Sequence, residues 1–184
     1  MKNIFDKIRT PDKSIKISKK IINTCLIFLL GIILGIFSKW LDNMAIDNTI
    51  WWQNILGILD LRNVFSEFGI WLFIAITISV FSKTPLRAGL NVFLFFVGMT
   101  TSYHLYTIYF SGFNPTRYMM IWYGITAITP ILAYQQINAS IGVIAAMLIE
   151  SFSVGLWYFY FKSIIDTLLF LGTILVIYTK PKNS

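Results

Sequence analysis

The sequence predicts an all-α, polytopic membrane protein with six transmembrane helices and an amphipathic helix lying in the interface within the first outer loop. Three observations carry that prediction. The 184 residues are 57% hydrophobic and 12% charged, with a mean hydropathy of +0.71; an ordinary soluble domain is about 45–50% apolar and about 25% charged. Six apolar runs approach the ~20 residues that cross a hydrocarbon core of about 30 Å at 1.5 Å per residue. Lysine and arginine gather in alternate connections between those runs. A soluble fold of this length cannot hide so much apolar surface, whereas in a bilayer lipid covers it.

The expected spans are residues 21–40, 65–81, 90–110, 118–134, 141–158 and 164–178. The run 21–37 exceeds a signal-peptide core and leads into Ser38-Lys39-Trp40 rather than a small-residue cleavage site, so it is expected to stay as the first span. Lys83-Thr84-Pro85 and Ser111-Gly112-Phe113-Asn114-Pro115 are turn signals. Spans five and six are joined only by residues 159–163, a tight hairpin. The chain divides into a basic cytoplasmic segment 1–20, one membrane domain 21–179 and a cytoplasmic tail 180–184.

Orientation follows from the positive residues in short connections. With the N terminus inside, eleven of the fifteen Lys and Arg fall on the cytoplasmic side: Lys2, Lys7, Arg9, Lys13, Lys16, Lys19, Lys20, Lys83, Arg87, Lys180 and Lys182. Lys39, Arg62, Arg117 and Lys162 fall outside, with Asp42, Asp47 and Asp60. An even number of spans brings both termini to the cytoplasm, as in a multi-pass protein of a bacterial inner membrane. The basic first segment suits anionic lipid, at about 1 kcal/mol per residue near the surface. It lacks the aromatic interleaving of a nucleic-acid site, and none is expected. Trp40, Tyr109, Tyr118, Trp122, Tyr134 and Tyr178 at span ends form interfacial belts.

The first outer loop is not simply hydrophilic. Trp51, Trp52, Ile55, Leu56, Ile58, Leu59 and Leu61 recur with a helical period among Gln53, Asn54, Asp60 and Arg62, which predicts an interfacial helix over 50–61. It is either a connector resting on the membrane or a lid, with Trp51 and Trp52 over an outward cavity.

Residues that are expensive in lipid mark the candidate site. Glu150 falls near the middle of the fifth span, where a charge costs roughly 2.5–3.5 kcal/mol even on lenient scales, so it must face protein or water. Trp157 lies two turns along on the same face. Thr100, His104 and Thr107 form one stripe on the third span, widened by Tyr103. Such a stripe either joins helices by hydrogen bonds or lines a polar cavity. The expected ligand set is His104, Glu150, Trp157, Tyr103, Thr100 and Thr107, suited to a cationic or aromatic-amine solute. Lys39 and Asp42 are read among the interfacial ion pairs or solvated ends. Pro130 is expected to be a kink tolerated by neighbouring helices. Gly31 and Gly35 make a G-x-x-x-G that allows close helix approach and marks a face for a membrane-protein partner.

Catalytic motifs are missing: no P-loop, G-x-S-x-G, H-E-x-x-H or paired intramembrane aspartates. With one cysteine, Cys25, and one histidine, His104, neither a disulfide within the chain nor a multi-histidine metal site is expected, and no cofactor is called for. The layout resembles the substrate-binding subunits of energy-coupling-factor vitamin transporters, which are small six-span proteins with an outer first loop covering a ligand and a small-xxx-small face docking on a coupling subunit. That family's first-span alanine pattern is replaced here by Gly31 and Gly35. The resemblance implies a solute-binding or solute-transporting membrane protein, the substrate-binding part of a larger transporter. The alternative is a non-transporting accessory, scaffold or regulatory subunit, and an enzyme is not expected.

Overall fold

The computed structural model describes residues 17–47, 49–66, 68–82, 84–135, 168–169, 171–173 and 175–176, and all regular structure among them is helical. The elements are α1 (Ile17–Asn43), α2 (Trp51–Ile58), α3 (Leu61–Ser66), α4 (Phe68–Phe81), α5 (Pro85–Phe110) and α6 (Thr116–Gln135). The fifth and sixth expected spans, with Glu150 and Trp157, lie outside the described residues, apart from short helical stretches after residue 167.

Among the described residues α1 is the helix long and apolar enough to cross a membrane. The other three expected spans exist as helices but differ from it for physical reasons. The 14 residues of α4 rise only ~21 Å. α5 is long enough, yet the run Thr100-Thr101-Ser102-Tyr103-His104 makes its second half polar.

Local chemistry explains where the helices begin and end. Thr84 caps α5: its hydroxyl accepts from the N–H of Arg87 at 3.3 Å, and Pro85 occupies the first turn, where its missing N–H costs nothing. Gly112, at φ +73°, turns the chain out of α5. The helix expected over 50–61 is broken. Asp60 adopts φ +47°, a left-handed conformation that Asp tolerates better than most residues, and its carboxylate accepts from Asn63 at 2.8 Å. The expected second span also starts later than 65, because the Phe65 carbonyl leaves helical pairing to accept from Ser38 Oγ at 3.3 Å and Trp71 Nε1 at 2.9 Å.

α5 is the central helix, with α1, α4 and α6 packed around it. The core is Trp71, Val92, Phe95, Phe96, Met99, Met119, Trp122 and Ala133. The α1–α5 crossing is close because small residues meet there. A Cβ on Gly31 would strike the Phe95 carbonyl, one on Gly35 the Met99 carbonyl, and one on Gly98 the Phe28 carbonyl at 2.6 Å. This corrects the expected partner face: Gly31 and Gly35 are buried against the chain's own α5, so the contact they permit is intramolecular.

Pro130 lies inside α6 and cannot donate to the Thr126 carbonyl one turn back. Thr129 Oγ1 takes its place, donating to Thr126 O at 2.8 Å, the side-chain repair that lets proline sit inside a packed apolar helix. The Pro130 carbonyl faces Gly89 of α5, where a Cβ would lie 2.9 Å from it. Polar side chains are turned inward, including Ser38, Asn91, Thr100, Thr107, Thr126 and Thr129, while Leu26, Ile33, Met120, Ile121 and Ile131 face outward.

Candidate functional site

The polar network at the α1 C-terminal end is the most concentrated chemistry among the described residues. The last turns of α1 place Lys39 and Asp42 three residues apart, Nζ to Oδ2 3.6 Å. Tyr103 of α5 donates its hydroxyl to Asp42 Oδ2 at 2.7 Å, and Ser66 of α3 donates to Asp42 Oδ1 at 2.9 Å. Lys39 is only 7% exposed. Its ammonium lies 5.3 Å from the Tyr103 ring centroid and 5.4 Å from that of Phe113 in the α5–α6 loop, within the range of a cation–π attraction. Asn43 Nδ2 ties α1 to Ser111 Oγ at 2.7 Å. One carboxylate thus joins three helices, and its two oxygens are both occupied. Lys39 and Asp42, expected among interfacial ion pairs or solvated ends, form an ion pair that is withdrawn from water; the available signal was their i, i+3 spacing at the end of an apolar run.

In the Thr100–His104–Thr107 stripe, Thr100 and His104 reach α6 and work as glue. Thr100 and Thr126 hydroxyls meet at 3.1 Å. His104 Nδ1 lies 3.0 Å from the Tyr123 hydroxyl and Nε2 lies 3.1 Å from Asn114 Oδ1. Because Asn114 Oδ1 can only accept, Nε2 carries a proton there, and in the neutral ring Nδ1 then accepts from Tyr123. Thr107 turns back to the Tyr103 carbonyl at 2.8 Å. Tyr103 and His104 are therefore neighbours in sequence that reach different helices, one α1 and the other α6. The expected pocket joining His104 to Glu150 and Trp157 cannot be placed, since the latter two lie outside the described residues.

Between these groups lies a cavity of about 20 Å³, bordered by Ser38, Ser66, Trp71, Thr100, Tyr103 and Trp122. It has room for one water, against about 300 Å³ or more for a small-molecule site. Trp51 and Trp52 do not border it, and Trp51 is 75% exposed. At the other end of the bundle a second network joins α1 to α5. Thr24 donates to Asn91 Oδ1 at 2.8 Å, Asn91 donates to Ser82 at 3.0 Å, and Arg87 donates to the Lys20 carbonyl at 3.3 Å. Among the described residues no group of three His, Cys, Asp or Glu side chains gathers to hold a metal. No protein-family model, curated protein or solved structure matches the chain.

Proposed function

We propose that the chain is a six-span protein of a bacterial inner membrane, with both termini cytoplasmic, acting as a non-transporting accessory or scaffold subunit of a membrane complex. The observation that supports this reading is the way the described helices are tied together around the Asp42–Tyr103 network. The described helices are pinned to one another at both ends by hydrogen bonds, and the cavity that Ser38, Trp71, Tyr103 and Trp122 border has room for a single water. Inward polar and outward apolar side chains are the distribution expected where lipid is the solvent. The basic N-terminal segment holds the cytoplasmic end against anionic lipid, and α2 rests at the outer interface with Trp51, Ile55 and Ile58 turned away from the protein.

The topology is tested in a Cys25→Ser background. Cysteines at Lys83 and Lys182 stay shielded from an impermeant thiol reagent in intact cells, and those at Asp47 and Asn114 react; labelling of the tail from outside overturns six spans. The accessory role is tested on protein in nanodiscs against a panel of organic cations and aromatic amines. The expected result is no saturable thermal stabilisation, together with migration of the gently solubilised protein as a discrete complex larger than the monomer. Saturable stabilisation that disappears in Glu150→Gln restores the solute-binding reading.

A further inference from the structure

We infer that the groove between α1 and α5 is a binding site for one acyl chain of a bilayer lipid, held from the middle of the membrane to the outer headgroups. The groove has a volume of about 370 Å³ and an almost wholly apolar lining. That volume falls in the range of ordinary ligand pockets, and it is far larger than the water-sized interior cavity. Its floor exists because α5 carries Gly98, Thr101 and Ser102 in succession of small side chains; its walls are Phe28 and Ile36 of α1 and Leu105 of α5. Ser102 offers the groove no spare donor, since its hydroxyl is committed to the Ile32 carbonyl at 3.0 Å and the Met99 carbonyl at 3.1 Å.

Two observations select a lipid chain as the occupant. The first is continuity. Ile32 and Ile36 line the groove, and one position round the same helix Leu29 and Ile33 are 50% and 61% exposed. On the membrane reading proposed above, the groove is thus an extension of the face by which α1, long and apolar enough to cross a membrane, meets lipid. The second is length and polarity along the axis. From Val97 to Phe110 the α5 wall rises ~20 Å, about half of the ~40–45 Å bilayer that includes its headgroups. Its deep end, at Phe28, Val97 and Gly98, is wholly apolar, while its far end carries Tyr106 and Tyr109, the residue type that sits at headgroup depth. Which leaflet supplies the chain rests on the six-span reading.

The test uses the full chain in nanodiscs of phosphatidylethanolamine and phosphatidylglycerol containing a trace of phospholipid with a diazirine on one acyl chain. Adducts are mapped by peptide mass spectrometry. The expected result is several-fold enrichment on Ile32, Ile36, Val97, Thr101 and Leu105 over the exposed residues Met120 and Ile121 of α6. Thr101→Trp, which fills the groove, abolishes the enrichment, and Leu90→Trp, on exposed α5 surface outside it, does not. Even labelling of all lipid-facing residues overturns the site. So does a disulfide formed by an added oxidant, in Cys25→Ser, between Thr101→Cys of two copies or between Thr101→Cys and a second cysteine introduced within residues 141–158. The diazirine position separates this proposal from the topology. A label near the headgroup should mark Tyr106 to Phe110 and one near the chain terminus should mark Phe28 and Val97. The reverse pattern keeps the acyl site and overturns the orientation.

Discussion

The hydroxyl of Tyr103 donates to the carboxylate of Asp42 across 2.7 Å, joining α5 to the last turn of α1 over a separation of 61 residues. Asp42 in turn holds Lys39 at 3.6 Å, and both side chains are largely withdrawn from water, at 9% and 16% exposed. The pair is therefore worth most as a set. Tyr103→Phe should lower stability by about 1.5–3 kcal/mol, the range for a hydrogen bond to a charged group. Asp42→Ala should cost more, about 3–5 kcal/mol, because it strands the Lys39 charge. Lys39→Met with Asp42→Leu should cost less than Asp42→Ala alone. Denaturant unfolding in micelles measures all three, and equal costs for the single and double changes would remove the ion pair from the account.

Thr129 substitutes for the N–H that Pro130 lacks. Thr129→Ala should therefore leave the Thr126 carbonyl unpaired and destabilise by about 1–3 kcal/mol. Adding Pro130→Ala should recover most of that loss by restoring the backbone donor. Thermal unfolding of the two variants decides it: a double variant no better than Thr129→Ala alone contradicts the repair.

Gly98 packs against the α1 backbone so closely that a methyl group would meet Phe28 O at 2.6 Å. Gly98→Ala should force α1 and α5 apart at a cost of about 1–3 kcal/mol. Gly124, with open space around it, is the internal control: Gly124→Ala should be neutral or stabilising, since glycine is worth about 1 kcal/mol less than alanine inside a helix. Comparing the two melting temperatures checks the prediction.

Asp47 accepts from the Thr49 hydroxyl at 2.7 Å and from the Thr49 N–H at 2.9 Å, and these bonds, the hydroxyl first, hold its pKa below the usual carboxylate value. The folded form is the better acid, so its stabilising effect is present above the unfolded-state pKa and is lost as pH falls through the lower folded value. Thr49→Ala should raise the Asp47 pKa towards that of a free side chain. A carboxyl ¹³C titration reads this directly, and an unchanged midpoint removes the hydroxyl as the main cause.

His104 donates from Nε2 to Asn114 and accepts at Nδ1 from Tyr123. The ¹⁵N spectrum of the imidazole should show the Nε2–H tautomer, and Asn114→Ala should weaken that preference. His104→Phe should cost only about 0.5–1.5 kcal/mol, the worth of ordinary hydrogen bonds at an exposed site.

The sequence by itself determined the helical character of the chain, the positions of α1, α4, α5 and α6 to within five residues at each end, and which residues are costly to leave without partners. Apolar run length and the turn signals at Thr84-Pro85 and Gly112 are local properties, and local properties can be read along one chain. Only the tertiary structure decided what those residues meet. Gly31 and Gly35 read as a partner face because helix spacing shows that a backbone can come close, not whose backbone it is; the answer is α5 of the same chain. The break at Asp60 was hidden because an apolar period passes straight through a left-handed residue. Lys39 and Asp42 read as an interfacial ion pair or solvated ends; the pair forms, but its burial was hidden because charge at the end of a span normally finds water. Tyr103, Ser66 and Phe113 come from other elements of the fold, and burial of a charge is a property of all of them together.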